Sequence, residues 1–339
     1  MPLATTVPTN VQTAVETSPP AKLNLFLEIT ARRCDGFHEI DTVMVPIDLR
    51  DHLLIQRLDS SDELSMEAQW MPSSEIWTQK LSGSPQSSHL AQIPSDENNL
   101  VIRALAAFRK HFGVRCGFHS RLFKGIPAGA GMGGASSDAA SALRCASLLC
   151  EPELGPAAER VEELAAIAAT IGSDVPFFLG LPGQSESTVA ARARGRGELL
   201  NPVSLRSPLP VVVAYPRHGL STAEVYGRLT VPSETIDPEP FLKALSSGNR
   251  KLIGEKMTNR LTAPAREIRP EIDEMLESMW RSGLQTCQLT GSGSACFAIT
   301  DTIGQARRAA ARLRAMLQPG ALVWATHTTT TAPRVRHAS

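Results

Sequence analysis

The chain has 339 residues, 42% hydrophobic and 20% charged, the composition of a soluble globular protein with room for two domains. Its 34 basic and 34 acidic residues cancel, so no global field draws in nucleic acid or an anionic membrane, and any phosphate recognition must be local. The six cysteines have spacings that suggest neither zinc nor a redox pair, and no apolar run reaches membrane-spanning length.

Residues 1–20 contain no Lys or Arg and no apolar centre. They read as a disordered tail, not as a secretory signal or transit peptide, which points to the reducing cytoplasm. From Ala21, the run KLNLFLEI alternates Leu23, Leu25, Leu27 and Ile29 with Lys22, Asn24, Phe26 and Glu28, a period-two strand. Taken on this strand alone, Lys22 and Asn24 belong to a solvated face. CDGFHEIDT turns at Gly36 and presents Phe37 and His38 at its exit, and a lone His beside an aromatic is ordinarily structural.

VMVPIDL and HLLIQRL read as further strands, with Pro46 marking an edge or a bulge. ELSMEA is another strand, and most of Met71 to Ser95 reads as a surface excursion rich in Ser and Pro. Asn99 opens a helix whose apolar stripe is Leu100, Ala104, Leu105 and Phe108. GFHSRLFKGIP then delivers the chain, past Lys124, to the segment PAGAGMGGASSDAASAL.

That segment, Pro127 to Leu143, organises the chain. Gly129, Gly131, Gly133 and Gly134 let the backbone approach a ligand closely, and Ala135, Ser136, Ser137 and Asp138 supply small or capping side chains for a helix. A glycine loop feeding a helix start is an anion site, so phosphate binding is the leading reading. Gly129, Gly131 and Gly134 also fit a dinucleotide fingerprint, with Glu151 near the ribose position. Pro127 interrupts the approach that such a βαβ unit needs. A nucleotide P-loop lacks its Lys-Ser or Lys-Thr pair, and a plain turn accounts for one or two of the glycines.

AAERVEELAAIAATIG reads as a helix ending at Gly172. In SDVPFFLG, Asp174 stands between an N-cap-like serine and an apolar segment, where a capping or turn role is the plain reading. A second α+β domain begins near Leu205. It holds the strand LPVVVAYP, short helices over STAEVYGRL, PFLKALSSGN and NRKLIGEKM, and REIRPEIDEMLESMWRSG with Ile268, Ile272, Met275, Leu276 and Met279 on one stripe. A second glycine loop, LTGSGSACFAI, leads into a strand, a helix over Gln305 to Leu317 and the strand ALVWATH. Residues 331–339 read as a tail.

In combination these stretches resemble the GHMP kinase superfamily from about Ala21 to His327. PAGAGMGGASSDAA is similar to its nucleotide loop, IGSDVPFF to the segment carrying its catalytic aspartate, and LTGSGSACFAI to its third motif. AKLNLFLEITARRCDGFHEIDT is similar to the branch acting on a CDP-linked methylerythritol. Met132 and Ala135 replace a commoner leucine and glycine, and Arg260 in TNRL replaces a more usual acidic residue.

The resemblance implies a two-domain α+β fold: an N-terminal domain over 21–204 like ribosomal protein S5 domain 2, and a ferredoxin-like α/β sandwich over 205–330. It implies ATP-dependent phosphorylation of the substrate's C2 hydroxyl, with magnesium, by a monomer or homodimer that binds neither nucleic acid nor membrane. Lys22 and Asp174 would be catalytic. Pro127, Ala128, Gly129, Ala130, Gly131, Met132, Gly133, Gly134, Ala135, Ser136 and Ser137 would hold the ATP phosphates, with Ser136 or Ser137 near magnesium, whose ligands the motifs leave open. Asn99 and Lys124 would lie near the adenine, Asn24 beside the polyol, and Phe37, His38 and Tyr226 at the cytosine. A homoserine- or mevalonate-type kinase and a non-catalytic GHMP-fold ligand sensor are the alternatives.

Overall fold

The computed structural model describes residues 14–71, 93–180, 190–216, 218–318, 320–329 and 333–338. Most of the Met71–Ser95 excursion, with Trp77, and the stretch from Gln184 to Ser187 lie outside the described residues. Five strands open the chain: β1 (Ala14–Thr17), β2 (Pro20–Arg32), β3 (His38–Arg50), β4 (His52–Leu58) and β5 (Leu64–Trp70). Then come α1 (Leu100–Phe112), β6 (Gly117–Lys124), α2 (Gly134–Leu149), α3 (Glu151–Leu154), α4 (Val161–Ile171), α5 (Val175–Leu179), β7 (Ala190–Gly195) and β8 (Leu199–Val203). The remainder is β9 (Pro210–Tyr215), α6 (Thr222–Gly227), α7 (Glu239–Ser247), α8 (Arg250–Lys256), β10 (Thr258–Asn259), α9 (Thr262–Ile268), α10 (Glu271–Arg281), β11 (Gln288–Leu289), β12 (Cys296–Ile299), α11 (Ile303–Met316), β13 (Leu322–His327) and β14 (Arg336–His337).

Three sheets result, in the orders β14-β1-β4-β6-β5, β10-β2-β3-β7-β8 and β11-β12-β9-β13. The third is antiparallel, and its order within its own segment is that of a ferredoxin-like sandwich. It packs against α9, α10 and α11 through Met275, Met279, Ala310 and Leu313. The first sheet packs against α1, α2, α4 and α5, with Phe108, Phe118 and Leu143 at the centre. Between these lies a middle core where Leu23, Leu25, Val43 and Val45 of the second sheet meet Val211, Val213 and Phe297 of the third. Chain ends and centre thus share one framework.

Several expectations are corrected. The tail expected over 1–20 ends earlier, because Ala14–Thr17 pairs antiparallel with β4, and the tail expected over 331–339 contributes Arg336 and His337 to the other side of β1. Lys22 and Asn24 are not solvated: they are only 3% and 2% exposed, because β2 is an inner strand covered on both faces. A register shift between Asn24 and Phe26 breaks the alternation and turns Phe26 into the middle core. Pro46 lies inside a central strand, at a position beyond the reach of β7, which pairs only with Ile40–Met44. The expected stretch from Arg266 to Gly283 splits at Pro270, whose ring cannot continue α9 and starts α10 instead.

Candidate active site

The first glycine loop and β2 are bonded to each other. Gly131 and Gly133 have φ of +72° and +69°, a region in which other residues are strained. A Cβ on Gly131 would stand 2.1 Å from the Thr290 carbonyl oxygen, and one on Gly133 would stand 2.8 Å from the Phe178 ring and 3.3 Å from Lys22 Cε. Gly133 precedes α2, and no side chain caps that helix. Ser136, Ser137 and Asp138, expected as caps, lie inside the first turns, so the helix start is left to a ligand. Ser137 Oγ is buried without a hydrogen-bond partner among the described residues.

Lys22 joins this loop to the chemistry. Its backbone N–H donates to the Met132 carbonyl at 3.0 Å, and its Nζ donates to Asn24 Oδ1 at 2.5 Å and lies 3.4 Å from Asp174 Oδ2. Asn24 Nδ2 donates to Thr42 Oγ1 at 2.8 Å, which donates to the Phe26 carbonyl at 2.6 Å. Asn24 is thus locked with its amide oxygen toward the ammonium. Asp174 precedes α5, but its side chain makes no capping bond, so the plain capping role does not hold. Its carboxylate faces the cleft and is paired with Lys22.

At the other side of Asp174 lies Tyr226, whose phenol burial, with the Asp174 charge adding, pushes well above the usual tyrosine range. The His38 ring packs on Tyr226 with centroids 5.1 Å apart. Burial first, and then the Arg32 charge, hold the imidazole below the usual histidine range. Phe37 keeps its ring 51% exposed. A cleft of about 970 Å³ is lined by these groups together with Asn99, Lys124, the loop from Pro127 to Ser136, and Ser292 of the second glycine loop.

Lys124 and Asn99 line the far end of this cleft, but both have structural partners. Lys124 Nζ is buried between Asp51, which it contacts closely, and Asp138 Oδ2 at 2.7 Å. Asp51 Oδ1 also accepts from the N–H groups of Gly125 and Ile126, at 2.6 and 2.8 Å. Burial pushes the Asp138 carboxyl up to about 8, with Lys124 opposing and Asp51 adding to the rise. For Lys124 burial works against the charge, but the two carboxylates prevail and raise it. Asn99 Oδ1 accepts from Val101 N–H, and its Nδ2 donates to the Pro94 carbonyl, so it caps α1.

The second glycine loop braces the first. Ser294 and Ala295 donate backbone N–H to Gly129 and Ala130 carbonyls, and Thr290 Oγ1 accepts from Asn24 N–H at 3.1 Å. Asn259 Nδ2 donates to the Leu289 and Gly291 carbonyls beneath it. Its neighbour Arg260 makes a two-armed pair, at 2.7 and 2.6 Å, with Glu28, which is 1% exposed. The arginine at this unusual position thus ties β10 to β2. Thr42, Thr290 and Asn259 lie within the motif stretches and Asp51 outside them, but the sequence singles out none of them, because each acts through partners between 18 and 266 residues away.

The GHMP kinases N terminal domain matches residues 99–180, and the GHMP kinases C terminal matches residues 241–318. A 4-diphosphocytidyl-2-C-methyl-D-erythritol kinase of Rhodopirellula baltica is 44% identical over 310 residues, covering 91% of this chain and 93% of that one. The chain belongs to the 4-diphosphocytidyl-2-C-methyl-D-erythritol kinase family. A second member, from Exiguobacterium sibiricum, is 34% identical over 85% of this chain and 90% of its own. A crystal structure in this kinase family superposes with a TM-score of 0.68 at 34% identity, covering 93% of this chain and 99% of the other. A homoserine kinase from Cytophaga hutchinsonii superposes with a TM-score of 0.69 at 17% identity over 99% of this chain and 100% of its own, which shows the shared fold alone. As a member of this kinase family the chain is an ATP-dependent phosphotransferase, and among the described residues no helix is long and apolar enough to cross a membrane.

Proposed function

We propose that the chain transfers the γ-phosphoryl group of ATP to the tertiary C2 hydroxyl of 4-diphosphocytidyl-2-C-methyl-D-erythritol, giving the 2-phosphate and ADP in isoprenoid precursor synthesis. The observation that carries this reading is the position of Lys22. Its main chain is bonded to the glycine loop and its ammonium lies 3.4 Å from Asp174, so acceptor and phosphate groups converge on one residue. The Asp174 carboxylate orients the hydroxyl and takes its proton while the new O–P bond forms and the bond to the ADP oxygen breaks. Lys22 offsets charge on the oxygens in transit, and Asn24 fixes both the ammonium and the polyol. In a loose transition state such positioning outweighs full deprotonation.

The loop from Pro127 to Ser137 would hold the phosphates through main-chain N–H groups at the uncapped start of α2. Asn99 and Lys124 would shape the adenine end, and Phe37, His38 and Tyr226 the cytosine slot, where ring faces suit a flat base. Magnesium fits this site through oxygen donors: the Ser136 hydroxyl on the cleft wall or the orphaned Ser137 hydroxyl behind it would hold it, together with phosphate oxygens, and it would neutralise phosphate charge. We place this activity in the cytoplasm, in a monomer or homodimer. A coupled ATP-consumption assay against the CDP-linked polyol, homoserine and mevalonate tests the reading. Turnover with the first alone is expected, and turnover confined to either of the others would overturn it.

A further inference from the structure

The groups described so far meet the base and the reacting polyol of the proposed acceptor, but its two bridging phosphates carry the most charge and have no partner among them. Two arginines line the cleft beside His38 and Phe37. Arg32 ends β2 directly opposite His38 in the strand register, is exposed, lines the cleft and makes no side-chain hydrogen bond or ion pair among the described residues. Arg196 sits in the turn between β7 and β8, also on the cleft wall, with its guanidinium carbon 5.1 Å from the centroid of the Phe37 ring.

The carboxylates near Arg196 hold it only loosely. Glu198 Oε2 accepts the Arg196 backbone N–H at 2.6 Å, while its other oxygen is 3.9 Å from the guanidinium. Asp35 feels the Arg196 charge but accepts from Phe37 N–H and from Arg33. The adjoining Gly197 faces Ser173, whose carbonyl oxygen would lie 3.5 Å from an added Cβ, so the turn abuts the residue before Asp174. Arg196 therefore stacks on the exposed Phe37 ring from a turn that abuts the residue before Asp174, and Arg32 stands beside His38.

We propose that Arg32 and Arg196 together grip the diphosphate of the cytidine-linked acceptor, a specificity role that rests on the function proposed above and names the part of the substrate it reads. A planar guanidinium offers paired donors to phosphate oxygens, which a lysine cannot match, and stacking on Phe37 keeps one of the two forks in place before the ligand arrives. The cleft then sorts acceptors by charge as well as by base.

The test titrates the full-length protein with cytidine, CMP and CDP, comparing wild type with Arg32→Leu, Arg196→Leu, the double variant and Arg196→Lys. Arg32 is exposed and Arg196 is half-buried against Phe37, so melting temperatures should fall little, and the CDP-to-cytidine ratio is read within each folded variant. The preference for CDP over cytidine should fall about tenfold in each single leucine variant and further in the double one. Arg196→Lys should recover part of it. With the CDP-linked acceptor as substrate, its KM should rise while kcat and the KM for ATP hold. An unaltered CDP-to-cytidine ratio in the double variant would overturn the clamp alone, leaving the kinase reading intact. A wild type that turns over no CDP-linked acceptor would sink the functional reading, and the clamp with it.

Discussion

Asp174 could serve as a helix cap at its position, yet it spends its carboxylate on Lys22 instead, across a gap of 152 residues in sequence. Replacing it with Asn keeps the shape but removes the proposed proton acceptor. Turnover should drop by about two or more decades while the KM for ATP stays near its original value, as steady-state kinetics with purified variants would show. Lys22→Met should also be slow. Because the two groups act on the same oxygens, the double variant should lose far less than the product of the single losses. Simple additivity would mean that they act apart.

At the level of elements, the buried trio of Lys124, Asp51 and Asp138 fastens the end of β6 to the first turns of α2, and so sets the start of the loop between them. Lys124→Met would leave the Asp51 carboxylate uncompensated and should cost about 3–5 kcal/mol by denaturant unfolding. Asp138→Asn mimics the protonated acid and should cost much less. The pH dependence follows from the folded carboxyl being raised to about 8 from 3.8. Between these values the folded state holds a proton that the unfolded chain has released, so this contribution is complete below about 4 and is lost as pH rises toward 8. The Asn variant should lack that decline, and parallel wild-type and variant stability curves would contradict it. None of this was legible in the sequence, where Lys124 and Asp138 read as a ligand contact and a cap. Lys22, His38 and Asp174 read locally as a solvated face, a structural imidazole and a cap, and become candidates only through the family resemblance. The glycine loop was legible, because close backbone approach leaves a local mark. The bulge that turns Phe26 inward and the pairing of Arg260 with Glu28 leave none, since strand register and partner choice are decided by segments far away.

Across the whole molecule, the candidate cleft depends on the middle core being one body. Ile126, Ala130 and Met132 from the first glycine loop pack into the same cluster as Leu23 and Val45 from the second sheet and Val213 and Phe297 from the third. The loop is therefore held from both halves of the chain, and the two glycine bends interlock through Gly131 and Thr290 with no room for a side chain. Phe26 of β2 stacks on Phe241 of α7, ring centroids 5.7 Å apart, directly across the junction of the halves. If that junction were a loose interface, each half would melt on its own. Because it is a shared core, the protein should unfold in a single calorimetric transition. Phe241→Ala, which empties a site 1% exposed, should lower that one transition by an amount equivalent to about 3–5 kcal/mol without splitting it. If the loop that belongs to this core holds ATP as proposed, saturating ATP should raise the transition in wild type and variant alike. Two resolved transitions, with only one responding to the Phe241 substitution, would mean that the phosphate loop is carried by the N-terminal half alone.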